Sequence, residues 1–184
     1  MDGLIMDYQL NVPAILRRGE QLFGDREIVT RLPDKSWHRY TYAEFAPRAR
    51  RLAAALRNEL GLKDGDRVGT FCWNHYQHLE TYIGVPVGGM VTHTLNLRLH
   101  PDDITYIATH AGDRVLIADK VLWPLVENFR ERVGFEHVIE EPPVRGLGMT
   151  GLLTPAQPLD QGRGVDPRGD RRTPSARARA DEFQ

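Results

Sequence analysis

Strand-like and helix-like patterns alternate along this 184-residue chain as far as Glu141, and there the alternation stops. Short β-type runs at Glu27–Leu32, Trp37–Tyr42, Arg67–Cys72, Met90–Thr94, Val115–Ala118 and Glu136–Ile139 punctuate segments of helical period. The turn Pro33-Asp34-Lys35-Ser36 joins the first two runs as a hairpin. Every later run is separated from the next by a helix-length connection, which carries the chain back over the sheet and leaves the strands parallel. The pattern predicts an α/β fold: a β-hairpin, then βα units building a parallel sheet with helices on its faces.

The helices carry their own start and stop signals. Asn11 is placed to cap the first, with Pro13 in its first turn, Ile15, Leu16, Leu22 and Phe23 facing inward, and Gly24 at its end. Thr41-Tyr42-Ala43-Glu44 has the form of a capping box. The helix it opens puts Tyr42, Phe45, Ala46, Ala49, Leu52, Ala53, Leu56 and Leu60 on one stripe. Arg48, Arg51, Arg57 and Asn58 fall opposite and read as a solvated face. Asn74 is expected to cap a third helix bearing Leu79, Tyr82, Ile83 and Val85, which Pro86 kinks or ends before Gly88-Gly89. Pro101 opens a fourth, with Asp102 and Asp103 in its electropositive first turn. Ile104, Ile107, Ala108 and Ala111 form its buried stripe, and Gly112 is its C′ glycine. Val121 to Val133 reads as one last helix closed by Gly134.

The 43 residues from Pro142 to Gln184 obey none of this: six are Pro, six Gly and seven Arg, and Phe183 is the one aromatic. Such a segment cannot bury enough apolar surface to offset its ordering entropy, so disorder is expected over 142–184. Its charge is +2 and that of residues 1–141 is −3, so neither part has the strong basic field of a nucleic-acid binder. Arg168–Arg172 and Arg177–Arg179 are interleaved with acids and lack stacking aromatics, which argues against nucleic acid as a partner.

A lone Cys72 in an apolar strand reads as a buried structural thiol, with no disulfide to make. The N-terminus has no basic n-region, and no apolar run approaches the ~18 residues of a membrane span, so a cytoplasmic protein without a span is expected.

His75 and His78 share a helix face, but no third ligand stands at recognisable spacing, so they read as capping and packing residues. Ser36 lies in a turn and Ser175 in the tail, neither in a nucleophile elbow. Glycines between Gly84 and Gly89 fall late in an apolar helix and suit close packing rather than phosphate binding. Asp102 and Asp103 are adjacent and cannot face each other across a helix. No residue is assigned a catalytic, cofactor-binding or metal-binding role.

From Met6 to about Ile139 the chain resembles the N-terminal part of the AMP-forming acyl-CoA synthetases, most closely the medium- and long-chain fatty-acid–CoA ligases. The resemblance rests on Leu22-Phe23-Gly24-Asp25-Arg26, Tyr40-Thr41-Tyr42-Ala43-Glu44-Phe45, Gly65-Asp66-Arg67-Val68 and Trp73-Asn74-His75. It continues through Gly84-Val85-Pro86, His93-Thr94-Leu95-Asn96-Leu97-Arg98-Leu99 and His110-Ala111-Gly112-Asp113-Arg114-Val115-Leu116-Ile117. It implies an AMP-binding-enzyme N-terminal domain, in part, over residues 1–141. For the full-length family it implies ATP, Mg²⁺ and coenzyme A, used to make an acyl-adenylate and then an acyl-CoA. The family's phosphate loop and catalytic lysine lie downstream of this region. The nearest local string, Thr150-Gly151-Leu152-Leu153-Thr154-Pro155, lacks the loop's repeated hydroxyls and its lysine. The chain alone is therefore expected to be inactive.

Long-chain members can dimerise through their N-terminal region, which makes Met1–Leu10 a candidate arm to a second copy. The alternative reading is a non-catalytic α/β binding or dimerisation module. The tail is rich in Arg, Pro, Gly, Ala and Asp, whose codons are G/C-rich, so a frameshift near residue 141 is the expected origin of the break. Translating the other two frames of the encoding DNA checks this: a Ser/Thr/Gly-rich loop ending in Lys is expected in one of them, and its absence from both defeats the idea.

Overall fold

The computed structural model describes residues 8–32 and 34–141. The elements run α1 (Val12–Phe23), β1 (Glu27–Arg31), β2 (Trp37–Thr41), α2 (Tyr42–Asn58), β3 (Arg67–Phe71), α3 (Tyr76–Val87) and β4 (Val91–Thr94). They continue as α4 (Pro101–Ala111), β5 (Asp113–Asp119), α5 (Trp123–Val126), α6 (Arg130–Val133) and β6 (His137–Glu141). Strands β1 and β2 pair antiparallel as the expected hairpin. The other four form one parallel sheet in the order β4-β3-β5-β6. The α/β reading, with its parallel sheet, holds.

Helix α2 shows how local signals and packing agree. Thr41 Oγ1 accepts from the Glu44 N–H while the Glu44 carboxylate accepts from the Thr41 N–H at 2.7 Å, completing the capping box. Phe45, Ala46, Ala49, Ala53 and Leu56 of the predicted stripe are buried. They pack toward α1 and α3 on one side of the sheet, with Val68, Val85, Val115 and Ile117 in the adjoining core. Alternation along β5 sends Leu116 to the opposite face from Val115 and Ile117. Phe71 and Phe129 meet edge to face at 5.2 Å between ring centroids.

Several expectations are corrected. In α1 only Leu16 is buried; Ile15, Leu22 and Phe23 are exposed, because the helix meets its neighbours along a stripe narrower than its apolar face. His75, not Asn74, caps α3, its Nδ1 accepting the His78 N–H at 3.2 Å. The buried face of α3 is Glu80, Thr81, Gly84 and Val85, and Tyr82 points out. Arg48 and Arg57 do not simply face solvent: Arg48 reaches Glu80 at 2.6 Å, and Arg57 reaches Asp64 and the Gly88 carbonyl.

The single helix expected over Val121 to Val133 is two short ones, preceded by a 3₁₀ turn at Lys120–Leu122. The Asn128 side-chain amide donates to the Pro124 carbonyl at 2.9 Å, taking the acceptor its own backbone N–H would use in an α-helix. That N–H turns instead to Leu125, and Phe129 N–H to Val126, both bonds of 3₁₀ length. Gly112 and Gly134 close their helices in the left-handed conformation, as expected.

Two glycines separate packing from propensity. A Cβ on Gly84 would sit 2.8 Å from the Ala49 carbonyl oxygen, so α2 and α3 can approach only because it has none. A Cβ on Gly19 would meet only the Tyr42 ring, at 3.5 Å. Gly84→Ala is expected to destabilise by about 1–3 kcal/mol through overpacking, whereas Gly19→Ala should stabilise by roughly 0.5–1 kcal/mol through helix propensity. Urea unfolding of the two variants checks both signs.

Candidate functional site

In an open parallel sheet the connections leaving two neighbouring strands diverge at one place, and the crevice beyond the strands' carboxyl ends there is where ligands bind. Here that place lies between β3 and β5. The chain leaves β3 through α3 toward β4, and leaves β5 through α5 and α6 toward β6 on the other side. The polar side chains gather at this carboxyl edge, drawn from the residues after β3, the start of α3, and the last residues of β5 and β6.

Asp119, the last residue of β5, is buried and occupied on both oxygens. Its Oδ2 accepts the Trp73 backbone N–H at 2.7 Å, and its Oδ1 accepts from His75 Nε2 at 2.8 Å. Because His75 Nδ1 accepts a backbone N–H, the ring proton must sit on Nε2, which fixes the tautomer that faces Asp119. His78 Nε2 stands 3.1 Å from Thr70 Oγ1. At the end of β6, Glu141 Oε1 accepts the Thr81 hydroxyl at 2.9 Å, and its Oε2 is buried without a hydrogen-bond partner among the described residues. Cys72 Sγ lies 3.4 Å from the Ile117 carbonyl.

Burial governs the electrostatics. It holds the Cys72 thiol far above the usual thiol range, with Glu141 and Asp119 adding to the effect, so the buried thiol stays protonated in the metal-free fold. It lowers His78 below the usual imidazole range, with His75 adding to the effect. It raises the Glu141 carboxyl; the Thr81 hydroxyl and His75 oppose the shift, and Asp119 and Glu80 reinforce it. The cations beside this edge are already engaged: Arg48 is held by Glu80, and Lys120, which follows Asp119, pairs with Glu140 at 2.7 Å.

The sequence-predicted residues are therefore dispersed. His75 and His78 do not converge on a common point but bond to Asp119 and Thr70. Ser36 is tied into its turn by Asp34, and Asp102 pairs with Arg132 at 2.7 Å. The glycines from Gly84 to Gly89 serve close packing, with Gly88 and Gly84 both against α2. Ser175, the string Thr150–Pro155, the tail arginines and the disorder expected over 142–184 lie outside the described residues, as does Met1–Asp7 of the candidate arm. Asp119, Glu141 and Thr81 were missed, since nothing local marks them; only the register that sets Asp119 opposite Glu141 brings two of them together. Among the described residues no helix is long and apolar enough to cross a membrane.

The AMP-binding enzyme family matches residues 16–173. A long-chain-fatty-acid–CoA ligase of Thermus thermophilus is 51% identical over 126 residues, covering 68% of this chain and 23% of that protein. A 3-methylmercaptopropionyl-CoA ligase of Ruegeria lacuscaerulensis is 38% identical over 133 residues, covering 72% of this chain and 24% of its own length. Among solved structures, a fatty acyl CoA synthetase of Mycobacterium tuberculosis aligns with a TM-score of 0.63 at 25% identity, over 71% of this chain and 26% of that one. An anthranilate CoA ligase in complex with anthranoyl-AMP aligns with a TM-score of 0.66 at 23% identity, over 77% and 27%, and supports the fold alone. The chain thus spans about a quarter of the length of the relatives it matches.

Glu141 supplies a pH test. A carboxyl whose folded pKa is raised from 4.5 contributes stability that is present below that value and lost as pH rises through the folded pKa. Glu141→Gln cannot titrate, so the wild type is expected to lose stability relative to this variant as pH rises above 4.5. Paired denaturant curves across that range, with chelator present, measure the difference; a flat difference would show that Glu141 is not protonated in the fold.

Proposed function

Because the chain belongs to the AMP-binding enzyme family, we propose that it forms the N-terminal part of an AMP-forming fatty-acid–CoA ligase, acts in the cytoplasm and is inactive alone. The observation that carries this reading is the 51% identity to a long-chain-fatty-acid–CoA ligase, sustained over 126 residues. In the complete protein the chemistry would be activation of a fatty acid by ATP to an acyl-adenylate, followed by transfer of the acyl group to the thiol of coenzyme A.

The described residues do not fit the nucleotide. A triphosphate needs converging cations and free backbone donors. The carboxyl edge of this sheet instead presents Asp119, Glu80 and Glu141, and the cations beside it are already engaged, Arg48 by Glu80 and Lys120 by Glu140. No step of adenylation is therefore assigned to residues of this chain. What it contributes under this reading is a packed platform on which the rest of a ligase would build.

A second reading, a binding or dimerisation module, is favoured by one observation. Tyr8, Leu10, Ile15, Leu22, Phe23 and Trp37 are all exposed, and all lie in the first 37 residues of the chain. A homodimer through this N-terminal region would cover such residues, and light scattering on the purified chain reports it.

A chimera tests the main reading. Residues 8–141 would replace the matching segment of the Thermus thermophilus ligase, and acyl-CoA formation from a long-chain fatty acid would be followed. The chimera is expected to be active and the isolated chain to give no acyl-CoA above blank. A folded but inactive chimera, or an active isolated chain, overturns the proposal.

A further inference from the structure

We propose that Cys72, Asp119 and Glu141 form a buried site for a divalent cation of the zinc or cobalt type. Each residue stands at the carboxyl end of a different parallel strand, so the sheet topology, and not a local motif, assembles a sulfur and two carboxylates. One ligand atom from each lies within 4.8 Å of the others. Tetrahedral coordination, with zinc–sulfur near 2.3 Å and zinc–oxygen near 2.0 Å, asks for S···O separations of roughly 3.5 Å. The donors would close by about an ångström to reach it, a side-chain adjustment that leaves the strands in place.

A separate observation points the same way. Glu141 Oε2 is buried and has no hydrogen-bond partner among the described residues, while Oε1 is satisfied by Thr81. A carboxylate oxygen so placed must be met by a proton or by a cation. Asp119 is braced from behind by the Trp73 N–H and by His75, each oxygen keeping a lone pair to offer. Outer donors of this kind orient metal-binding carboxylates. One thiolate among the donors favours zinc or cobalt over magnesium and calcium, which prefer oxygen alone.

The proton balance is simple. Cys72 carries its thiol proton in the metal-free fold. Binding forms one metal–sulfur and two metal–oxygen bonds, releases the thiol proton and any proton on the carboxylates to solvent, and changes no oxidation state. Affinity should therefore rise with pH.

The test uses the full chain, stripped with chelator and titrated with Co²⁺ at pH 7.5. A thiolate-to-cobalt charge-transfer band in the near ultraviolet is expected, lost on adding Zn²⁺, with at least one proton released per metal in buffers of different ionisation enthalpy. Cys72→Ser should abolish the band, and Glu141→Gln should weaken Co²⁺ binding at least about tenfold. His110→Ala, an exposed histidine, should change neither. Zn²⁺ should also raise the melting temperature of the wild type in a concentration-dependent way, a readout that does not depend on the variants folding. No band and no shift in melting temperature at millimolar metal would overturn the site. So would a band whose strength and affinity survive Glu141→Gln.

Discussion

Strand β3 is the constraint on which the rest of the described fold depends. It pairs in parallel with β4 on one edge and with β5 on the other, and its register fixes where both begin. Parallel pairing forces each connection to cross a face of the sheet, which buries both faces. That is why Val68, Thr70 and Phe71 are all buried in one short strand, whatever their polarity, and Cys72 directly after it is buried too. Gly69 belongs to the same constraint. A Cβ there would stand 3.1 Å from Asp113 Oδ2, and the absence of one lets Asp113 reach across β3 to His93 on the far strand at 2.8 Å.

The carboxyl edge is costly by comparison. Asp119, His75, Glu80 and Thr81 are buried polar residues, and a buried polar group is tolerable only when it is bonded. Asp119 meets that condition twice, and so holds the start of α3 onto the end of β5. Glu141 meets it once. Its single bond from Thr81 does not offset the cost of desolvation, which raises its carboxyl.

What could be read from the sequence was whatever is decided locally or by periodicity. The capping box at Thr41 and Glu44, the stripe of α2, the hairpin and the left-handed Gly112 and Gly134 follow from neighbours a few residues apart. What could not be read depends on partners far along the chain. Arg48 looked solvated because Glu80, which holds it, comes a helix and a strand later. His75 and His78 looked like a pair because they share a helix, yet each answers to a different strand. Ile15, Leu22 and Phe23 looked inward because an apolar stripe does not say how much of itself a neighbour covers. The candidate cation site was hidden for the same reason: its three residues are joined only by parallel register.

The broken helix after β5 carries a kinetic consequence. Segments of four residues, as α5 and α6 are, cannot hold helical structure by themselves, since nucleation alone outweighs so few backbone bonds. Their order is lent by Leu122, Val126 and Phe129, which are buried on the sheet side next to Phe71. This face of the molecule can therefore form only after β3 and β5 have met, whereas α2, with its own cap and a full stripe, can be present beforehand. The two sides of one sheet thus mature at different times, and backbone amides between Trp123 and Val133 exchange with solvent through small local openings that leave the strands beneath them protected.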